Sequence, residues 1–478
     1  MENISESTAV TTSKPKVAII GAGVLGLLWA RHFSSFWDIQ VYETRDGFGG
    51  VWNYTPVWEK NYGDLESNAF YKLYGCLGPS LYKHLSTIIP KFWMTFKDFD
   101  YSFKEERVIT SEEFFEYITG YVNHFDLEKH IRFNTTVEKI KVCSDAEHPI
   151  MLQSIATDLS TNPDPTIEYF DYLAVCTGHF SVPLYPNFKG YETYDGDSFH
   201  IHELREIDPE LVNGKNVLIV GLSVSALDVV TMIFKKTQTW ENLKPQKVFI
   251  TSKSILKLEK SDDYRDIIED GRLVVKNGNV TEMMKDKQVV FGDGTQETID
   301  TVIYCTGYKY WFPFFDSNDQ LLDYNGSELD RGTQFGQLYK KIFLAKYPRI
   351  MFLGMTYRIF LSMTVFERQA MICSQFIKGE ITLPCTREML AEIEEETKRL
   401  KEEGENYFEF GKANCEFKYH EELSKMSNIP EETRYREFKP IKAIYCKTKS
   451  MGNELQSRNF DYEKMFEGML FKQTSEYF

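Results

Sequence analysis

Two short apolar runs, each followed at once by glycine, predict buried β-strands that end in tight turns. The first run is Lys16–Ile20 and the second is Asn216–Val220. Continuous apolar runs bounded by turn signals are typical of the inner strands of a parallel sheet. The residues after each turn favour a helix. The order strand, glycine turn, helix therefore occurs twice in this chain.

Other patterns predict local elements away from these two units. Residues 289–300 alternate around a Gly-Asp-Gly turn, which predicts a β-hairpin. Residues 387–403 place Leu390, Ile393 and Leu400 near one face and charges elsewhere, which predicts a surface helix. The polar residues 1–13 predict a disordered N-terminus.

The first glycine segment has the spacing of a dinucleotide-binding loop. It places Gly21, Gly23 and Gly26 in a G-x-G-x-x-G pattern directly after the first strand. The first glycine permits the turn, the second allows close approach of a pyrophosphate, and the third lets helix and strand pack closely. Glu43 ends a second apolar stretch, residues 39–42, where an acid accepts a ribose hydroxyl. This unit predicts a dinucleotide site.

The second glycine segment departs from that pattern in one respect. Gly221 is followed by Ser223, Ser225 and Ala226, so serine stands at the second glycine position. A serine hydroxyl can itself donate to a phosphate or a ribose, so the segment still predicts nucleotide binding. Two dinucleotides held by one chain suit the transfer of a hydride from nicotinamide to flavin.

Several further segments match one protein family in order. Residues 43–52 resemble its E-R-x-x-x-x-G-G-x-W stretch, and residues 90–99 resemble its P-K-x-x-M-x-F-x-D-F segment. Residues 171–179 and 300–308 resemble its two strands that end in Thr-Gly, and residues 366–370 its F-x-E-x-Q-A helix. From about residue 14 to about residue 430 the chain resembles the class B flavin-containing monooxygenases.

The resemblance implies an α/β fold with two Rossmann-like dinucleotide-binding domains. The NADPH-binding domain, residues 181–308, is expected to be inserted into an FAD-binding domain formed by residues 14–180 and 309–478. The last part carries a C-terminal helical extension. In this family reduced FAD adds O2 as a C4a-hydroperoxide, and a soft amine or sulfur substrate takes the distal oxygen. FAD and NADPH are therefore the expected cofactors.

The family motifs assign binding roles to particular residues. The residues expected to bind FAD are Gly21, Gly23, Gly26, Glu43, Gly50, Val51 and Trp52. Those expected to bind NADPH are Gly221, Ser223, Ser225, Ala226 and Lys253, together with Thr306 and Gly307 of the second Thr-Gly segment. Lys253 resembles the cation that contacts the 2′-phosphate and distinguishes NADPH from NADH.

The linker between the domains indicates the branch of the family. His200 occupies the histidine position of the F-x-G-x-x-x-H-x-x-x-(F/Y) motif, and Leu204 is followed by Arg205. The W-P ending of Baeyer–Villiger enzymes is thus absent, which favours oxygenation of nitrogen or sulfur. His200 either helps to position the two domains or is an ordinary interface histidine.

One substitution falls on a catalytic position of the family. The Y-x-x-L-x-T-N-x-P motif begins here at Tyr82, and Thr87 is retained, but Ile88 replaces the asparagine. Thr87 and Ile88 are the candidate catalytic positions, and isoleucine cannot form the hydrogen bond of the family's asparagine. An uncoupled NADPH oxidase that produces hydrogen peroxide is therefore one alternative. A non-catalytic cofactor-binding interaction protein is another.

The net charge and the cysteine content limit the classes of binding partner and the cellular compartment that we expect. A formal net charge of −16 argues against nucleic acid or an anionic membrane as the main partner. No apolar run is long enough to span a bilayer, and the N-terminus has no signal architecture. Eight cysteines without C-x-x-C spacing predict no metal site and fit a reducing compartment. We expect a soluble, cytoplasmic enzyme; a homodimer is left open.

Overall fold

The computed structural model describes residues 14–55, 68–74, 78, 80–83, 85–103, 108–143, 146–234, 243–252, 264–315, 322, 337–356, 362–404, 407–408 and 413–428. Its strands are β1 (Lys16–Ile20), β2 (Asp38–Tyr42), β3 (Ser86–Pro90), β4 (Val108–Thr110), β5 (Ile131–Arg132), β6 (Thr135–Val142), β7 (Ile150–Ala156), β8 (Thr166–Phe170), β9 (Tyr172–Val175), β10 (Val182–Pro183), β11 (Asp197–His200), β12 (Asn216–Val220), β13 (Lys247–Ser252), β14 (Leu273–Asn277), β15 (Val280–Met284), β16 (Gln288–Phe291), β17 (Gln296–Thr298), β18 (Thr301–Tyr304), β19 (Tyr308–Lys309), β20 (Leu338–Tyr339), β21 (Phe343–Leu344) and β22 (Ile350–Phe352). Its α-helices are α1 (Val24–Phe33), α2 (Ala69–Tyr74), α3 (Ser111–His124), α4 (Val224–Phe234), α5 (Arg265–Glu269), α6 (Ser362–Ile377), α7 (Thr386–Glu402) and α8 (Ala413–Met426). The predicted disordered residues 1–13 lie outside the described residues.

The first sheet is built around the first apolar run. Its strand order is β20-β21-β22-β9-β1-β2-β5, and β1 runs parallel to both of its neighbours. All side chains of β1 after Lys16 are buried, as expected of a strand covered on both faces. Helix α1 packs on β1, on β2 and on α6. The apolar run thus forms the centre of the larger core.

The second sheet repeats this plan with the second apolar run. Its five strands are all parallel, in the order β11-β18-β12-β13-β14. One apolar cluster joins the sheet to α4, and another joins it to β15 and β16 of the antiparallel sheet β15-β16-β17. Strands β16 and β17 pair as the hairpin that residues 289–300 predict.

The second sheet lies within the first along the chain. Its strands fall between β9 and β20, which both belong to the first sheet. This confirms the predicted α/β class with one nucleotide-binding unit inserted into the other. The chain crosses between the sheets through two segments that pair with each other, since Val182 is opposite Lys309 and Pro183 is opposite Tyr308. The boundaries at residues 180 and 308 stay predictions.

The C-terminal part of the described chain adds helices to the first sheet. The helix predicted over residues 387–403 is α7, and it buries Ile393 and Leu400 against the larger core, with Leu390 partly buried beside them. The predicted one-sided apolar face is therefore confirmed. Among the helices that the structure describes, none combines the length and apolar character needed to cross a membrane.

Candidate functional site

The turn after β1 requires glycine at its first position. Gly21 has a φ of +98°, and its N–H donates to the carbonyl oxygen of Tyr42 over 2.8 Å. A Cβ atom at Gly21 would lie 2.8 Å from the carbonyl oxygen of Cys176. Any larger residue would therefore push the turn away from the strand that ends in the first Thr-Gly segment.

Two further glycines bring a second loop against the start of α1. The N–H of Gly49 donates to the carbonyl oxygen of Ala22 over 2.8 Å, and a single 3₁₀ turn follows at Gly50–Trp52. Gly50 has a φ of +56°, and its Cβ would lie 2.8 Å from the Cα of Gly23. The two loops therefore meet backbone to backbone.

The N-terminus of α1 opens between these loops. Gly23 is its N-cap, and the N–H of Leu27 donates to the carbonyl oxygen of Gly23 over 3.0 Å. The N–H groups of the first helical turn have no acceptor within the helix. They carry the positive end of the helix dipole, so this position suits a pyrophosphate.

Glu43 is buried at the end of β2 and holds both loops. One carboxylate oxygen accepts the N–H of Ala22 over 2.8 Å, and the other accepts the N–H of Arg45 over 2.9 Å. Burial raises the pKa of this carboxyl, and the two N–H donors oppose the rise. Each carboxylate oxygen retains lone-pair capacity for a ribose hydroxyl.

Arg45, whose role was not predicted from the sequence, fixes the loop that contains Gly50 and Asn53. Its guanidinium donates to the carbonyl oxygens of Gly50 over 3.0 Å and Asn53 over 2.9 Å. It also donates to the hydroxyl of Thr55 over 2.7 Å. An arginine two residues after Glu43, before a Gly-Gly pair, is the signal that the sequence offered for it.

These elements surround a cavity of about 430 Å³. Its lining includes Gly23, Glu43, Val51 and Trp52, and the indole of Trp52 packs edge-on against Phe114 at 4.6 Å between ring centroids. The wall also contains Thr177 of the first Thr-Gly segment and Thr356, which the sequence did not single out, and their buried hydroxyls have no partner among the described residues. A cradle of glycines, a carboxylate and spare hydroxyls fits a dinucleotide such as FAD.

Gly26 serves the same loop without lining the cavity. It is buried within α1, and a Cβ there would lie 1.8 Å from the carbonyl oxygen of Gly21. It thus fills the helix-packing role that the sequence pattern predicts.

The second glycine loop reproduces the first. Gly221 has a φ of +111°, and its N–H donates to the carbonyl oxygen of Thr251 over 3.0 Å. A Cβ on Gly221 would lie 2.5 Å from the carbonyl oxygen of Cys305, which corresponds to the contact of Gly21 with Cys176. Burial raises the pKa of the Cys176 and Cys305 thiols.

The start of α4 presents the predicted serines. The carbonyl oxygen of Ser223 accepts the N–H of Leu227 over 3.2 Å, so helical hydrogen bonding begins there. Ser223 and Ser225 are partly exposed, whereas Ala226 is buried in the adjoining core. Lys253, the predicted 2′-phosphate contact, lies outside the described residues.

Thr306 and Gly307 lie where the chain returns to the first sheet. The hydroxyl of Thr306 donates to the carbonyl oxygen of Leu184 over 2.5 Å, and the N–H of Leu184 donates to the carbonyl oxygen of Gly307 over 2.9 Å. The second Thr-Gly segment therefore pins the two crossing segments together beside the second glycine loop.

His200 is buried next to these crossing segments. Its ring lies 5.6 Å from that of Tyr185 and 5.2 Å from that of Tyr308, between ring centroids. Its Nδ1 accepts the N–H of His202 over 3.0 Å, and burial lowers the pKa of His200 to about 3. A neutral imidazole thus lies between the second sheet and both crossing segments, and its role in positioning the domains stays a prediction.

The hydroxyl of Thr87 is engaged by the backbone. It donates to the carbonyl oxygen of Ile89 over 2.8 Å and accepts the N–H of Ile109 over 3.1 Å. Its proton is therefore committed within β3, and its oxygen supports the pairing of β3 with β4. Ile88 lies on β3, but its side chain is outside the described part of the structure.

Comparison with known proteins agrees with this geometry. The sequence model of the family described as flavin-binding monooxygenase-like matches residues 14–254 and 232–434. The chain is 32% identical over 396 residues to trimethylamine monooxygenase of Methylocella silvestris, covering 79% of this chain and 78% of that protein. It is 30% identical over 387 residues to flavin-containing monooxygenase FMO GS-OX-like 7 of Arabidopsis thaliana, covering 79% and 76%.

Solved structures share the fold. S-allyl-L-cysteine S-oxygenase from Allium sativum superposes with a TM-score of 0.73 at 23% identity, covering 96% of this chain and 99% of that one. Tmm from Pelagibacter sp. strain HTCC7211 gives a TM-score of 0.67 at 26% identity, covering 87% of each chain. The chain therefore belongs to the flavin-binding monooxygenase-like family, as a flavin-dependent monooxygenase with FAD and NADPH as its cofactors.

Proposed function

We propose that this monooxygenase transfers one oxygen atom of O2 to a soft nitrogen or sulfur nucleophile and uses NADPH as the hydride donor. The observation that carries the proposal is the pair of matching glycine loops, one beside each Thr-Gly crossing segment. The names of a trimethylamine monooxygenase and an S-allyl-L-cysteine S-oxygenase among its relatives support a small amine or thioether as substrate.

In this proposal FAD occupies the cavity beside β1. When bound, FAD accepts the hydride and supplies the oxygen chemistry, while the protein orients it and excludes water. The first turn of α1, with Gly23 and Gly50, receives the pyrophosphate, and Glu43 accepts a ribose hydroxyl. Trp52 closes one side of the cavity. No side chain has to act as a nucleophile.

NADPH is assigned to the second glycine loop, which begins at Gly221. Gly221 permits the turn, Ser223 and Ser225 offer hydroxyl donors, and the N-terminus of α4 receives the pyrophosphate. Lys253 would contact the 2′-phosphate. We assign this cofactor to a domain of residues 181–308, inserted between residues 14–180 and 309–478.

The sequence at residue 88 supports a second candidate function. Isoleucine there has no hydrogen-bonding group where the resembling family has asparagine. An enzyme lacking that contact would reduce O2 to hydrogen peroxide without oxygenating its substrate. We therefore retain an uncoupled NADPH oxidase as the alternative.

Cysteine usage supports a cytoplasmic location for this enzyme. The chain has eight cysteines and no C-x-x-C spacing, which fits a reducing compartment. A homodimer remains a prediction that light scattering on the purified protein would check.

Cofactor content and NADPH turnover test the proposal. The purified protein should carry about one FAD per chain. NADPH should bleach this flavin without oxygen, and trimethylamine or a thioether should yield the N-oxide or sulfoxide in air. Peroxide formation without an oxygenated product would favour the oxidase. A protein that cannot be loaded with FAD would refute both functions.

A further inference from the structure

The segment just before β3, with Tyr82, Lys83 and Leu85, contacts both nucleotide-binding units, although the chain does not pass from one unit to the other there. Its end belongs to the first unit, since the carbonyl oxygen of Leu85 accepts the N–H of Ser111 over 2.9 Å. Its beginning is bound to the second unit, since the N–H of Lys83 donates to the carbonyl oxygen of Arg205 over 2.8 Å. Tyr82, only 5% exposed, is part of the apolar cluster of the second sheet.

The side chain of Tyr82 reaches the helix that follows the second glycine loop. Its hydroxyl donates to the carboxylate of Asp228 on α4, across 146 residues of sequence. Burial, together with the negative charge of Asp228, raises the pKa of Tyr82 well above its usual value, so the hydroxyl remains a donor. A hydrogen bond to an ionised acceptor is roughly twice as strong as one between neutral groups.

This contact links the start of α4, at the loop assigned to NADPH, with the segment before β3 in the unit assigned to FAD. Reduction of the flavin must bring these two cofactors together. Asp228 lies one turn after Val224, at which α4 begins beside Gly221. Tyr82 lies shortly before the strand that carries Thr87. A shift of one element is therefore transmitted to the other. The nearby ion pair of Lys83 with Glu206 is more exposed and contributes less.

We propose that Tyr82 and Asp228 are a positioning pair that sets the nicotinamide of NADPH against the flavin. The pair touches neither cofactor in this assignment. It orients α4, and with it the second dinucleotide, relative to β3 of the first unit. This inference rests on the proposed function, because it assumes that NADPH reduces FAD across this interface.

Replacing the phenol hydroxyl tests the pair. Tyr82→Phe keeps the buried ring and removes the bond, and Asp228→Asn keeps a weaker, neutral acceptor. We expect Tyr82→Phe to lower the limiting rate of anaerobic flavin reduction by about tenfold, the change expected for loss of a bond of this strength. Asp228→Asn should lower it less. FAD content and the NADPH concentration at half-maximal rate should stay at their wild-type values.

Tyr194→Phe is the matched control. The Tyr194 hydroxyl donates to the carbonyl oxygen of Ile299 over 2.8 Å, and both residues belong to the second unit. Its loss should lower thermal stability but leave the reduction rate unchanged. The double variant Tyr82→Phe, Asp228→Asn should be no slower than Tyr82→Phe alone, because both changes remove one contact.

The outcomes separate this inference from the function on which it rests. Wild-type reduction rates in both Tyr82→Phe and Asp228→Asn would overturn the positioning role alone. An equal loss of rate in Tyr194→Phe would also overturn it, because the effect would then be one of general stability. If NADPH fails to bleach the wild-type flavin, the proposed function is refuted and the positioning role falls with it.

Discussion

Gly26 packs so closely on Gly21 that a Cβ atom on Gly26 would lie 1.8 Å from the carbonyl oxygen of Gly21. Gly23, between them, is in a different situation, because its Cβ would meet the Cα of Gly50 at an ordinary 3.6 Å. The third glycine of the pattern is thus required by the fold itself. The second is required only by what occupies the cavity that Gly23 lines.

Alanine substitutions should separate these two requirements. Gly26→Ala should destabilise the protein by about 1–3 kcal/mol, because the helix has to move away from the turn. Gly23→Ala should fold normally and lose FAD, because the methyl group intrudes on the approach to the pyrophosphate. Chemical denaturation and the ratio of flavin to protein absorbance measure the two effects. A Gly23→Ala variant that still binds one FAD per chain would contradict the assignment of FAD to this cavity.

Stability should depend on pH through Glu367. Burial raises the pKa of this carboxyl from 4.5 to about 7, while it accepts the N–H of Lys97 over 2.7 Å. The folded protein binds this proton more tightly than the unfolded chain, so stability is lost as the pH rises from about 4.5 to 7.

Glu367→Gln isolates that contribution, because its amide oxygen can still accept the N–H of Lys97. The variant should gain stability relative to wild type as the pH rises through this window. Denaturation at several pH values measures the difference. A difference between the two proteins that is constant with pH would count against a raised pKa at Glu367.

Lys253 should determine the choice between NADPH and NADH. A charge-assisted bond to the 2′-phosphate contributes about 1.5–3 kcal/mol. Lys253→Ala should therefore raise the Michaelis constant for NADPH at least tenfold and leave that for NADH nearly unchanged. Lys247, exposed at the opposite end of β13, is the matched control. Equal responses of both cofactors to Lys253→Ala would exclude the phosphate contact.

Introducing the family's asparagine at residue 88 should improve coupling. We expect the wild-type enzyme to release peroxide even with good nucleophiles present, because a lost hydrogen bond costs about 1 kcal/mol and each 1.4 kcal/mol is a tenfold change in rate. Ile88→Asn should lower the peroxide formed per NADPH oxidised, whereas Ile88→Leu should not. Thr87 cannot substitute as a donor, since its hydroxyl donates to Ile89. A wild-type enzyme that couples nearly all NADPH to product would refute this prediction.

Local signals in the sequence were sufficient for the central strands β1 and β12, for the glycine turns that follow them and for the hairpin of β16 and β17. Gly21 and Glu43 contact residues close to them in sequence order, namely the turn after β1 and the end of β2, and the order strand, turn, helix, strand predicts these contacts. The contact of Tyr82 with Asp228 was not predictable, because it depends on how two separate units dock. The backbone engagement of Thr87 was equally hidden, since it requires the pairing of β3 with β4. The motifs identified candidate residues, and the structure showed which contacts each of them makes within the protein.

Oxygen labelling shows whether this enzyme transfers an atom of O2 to its substrate. The purified enzyme is supplied with NADPH, a thioether and ¹⁸O₂, and the sulfoxide is analysed by mass spectrometry. We expect one labelled oxygen atom in the sulfoxide, with the remaining NADPH accounted for as peroxide, and no sulfoxide without NADPH. A sulfoxide without the label, or NADPH consumed entirely as peroxide with amines as well as thioethers, would contradict the assignment of this chain as an N- or S-oxygenating enzyme.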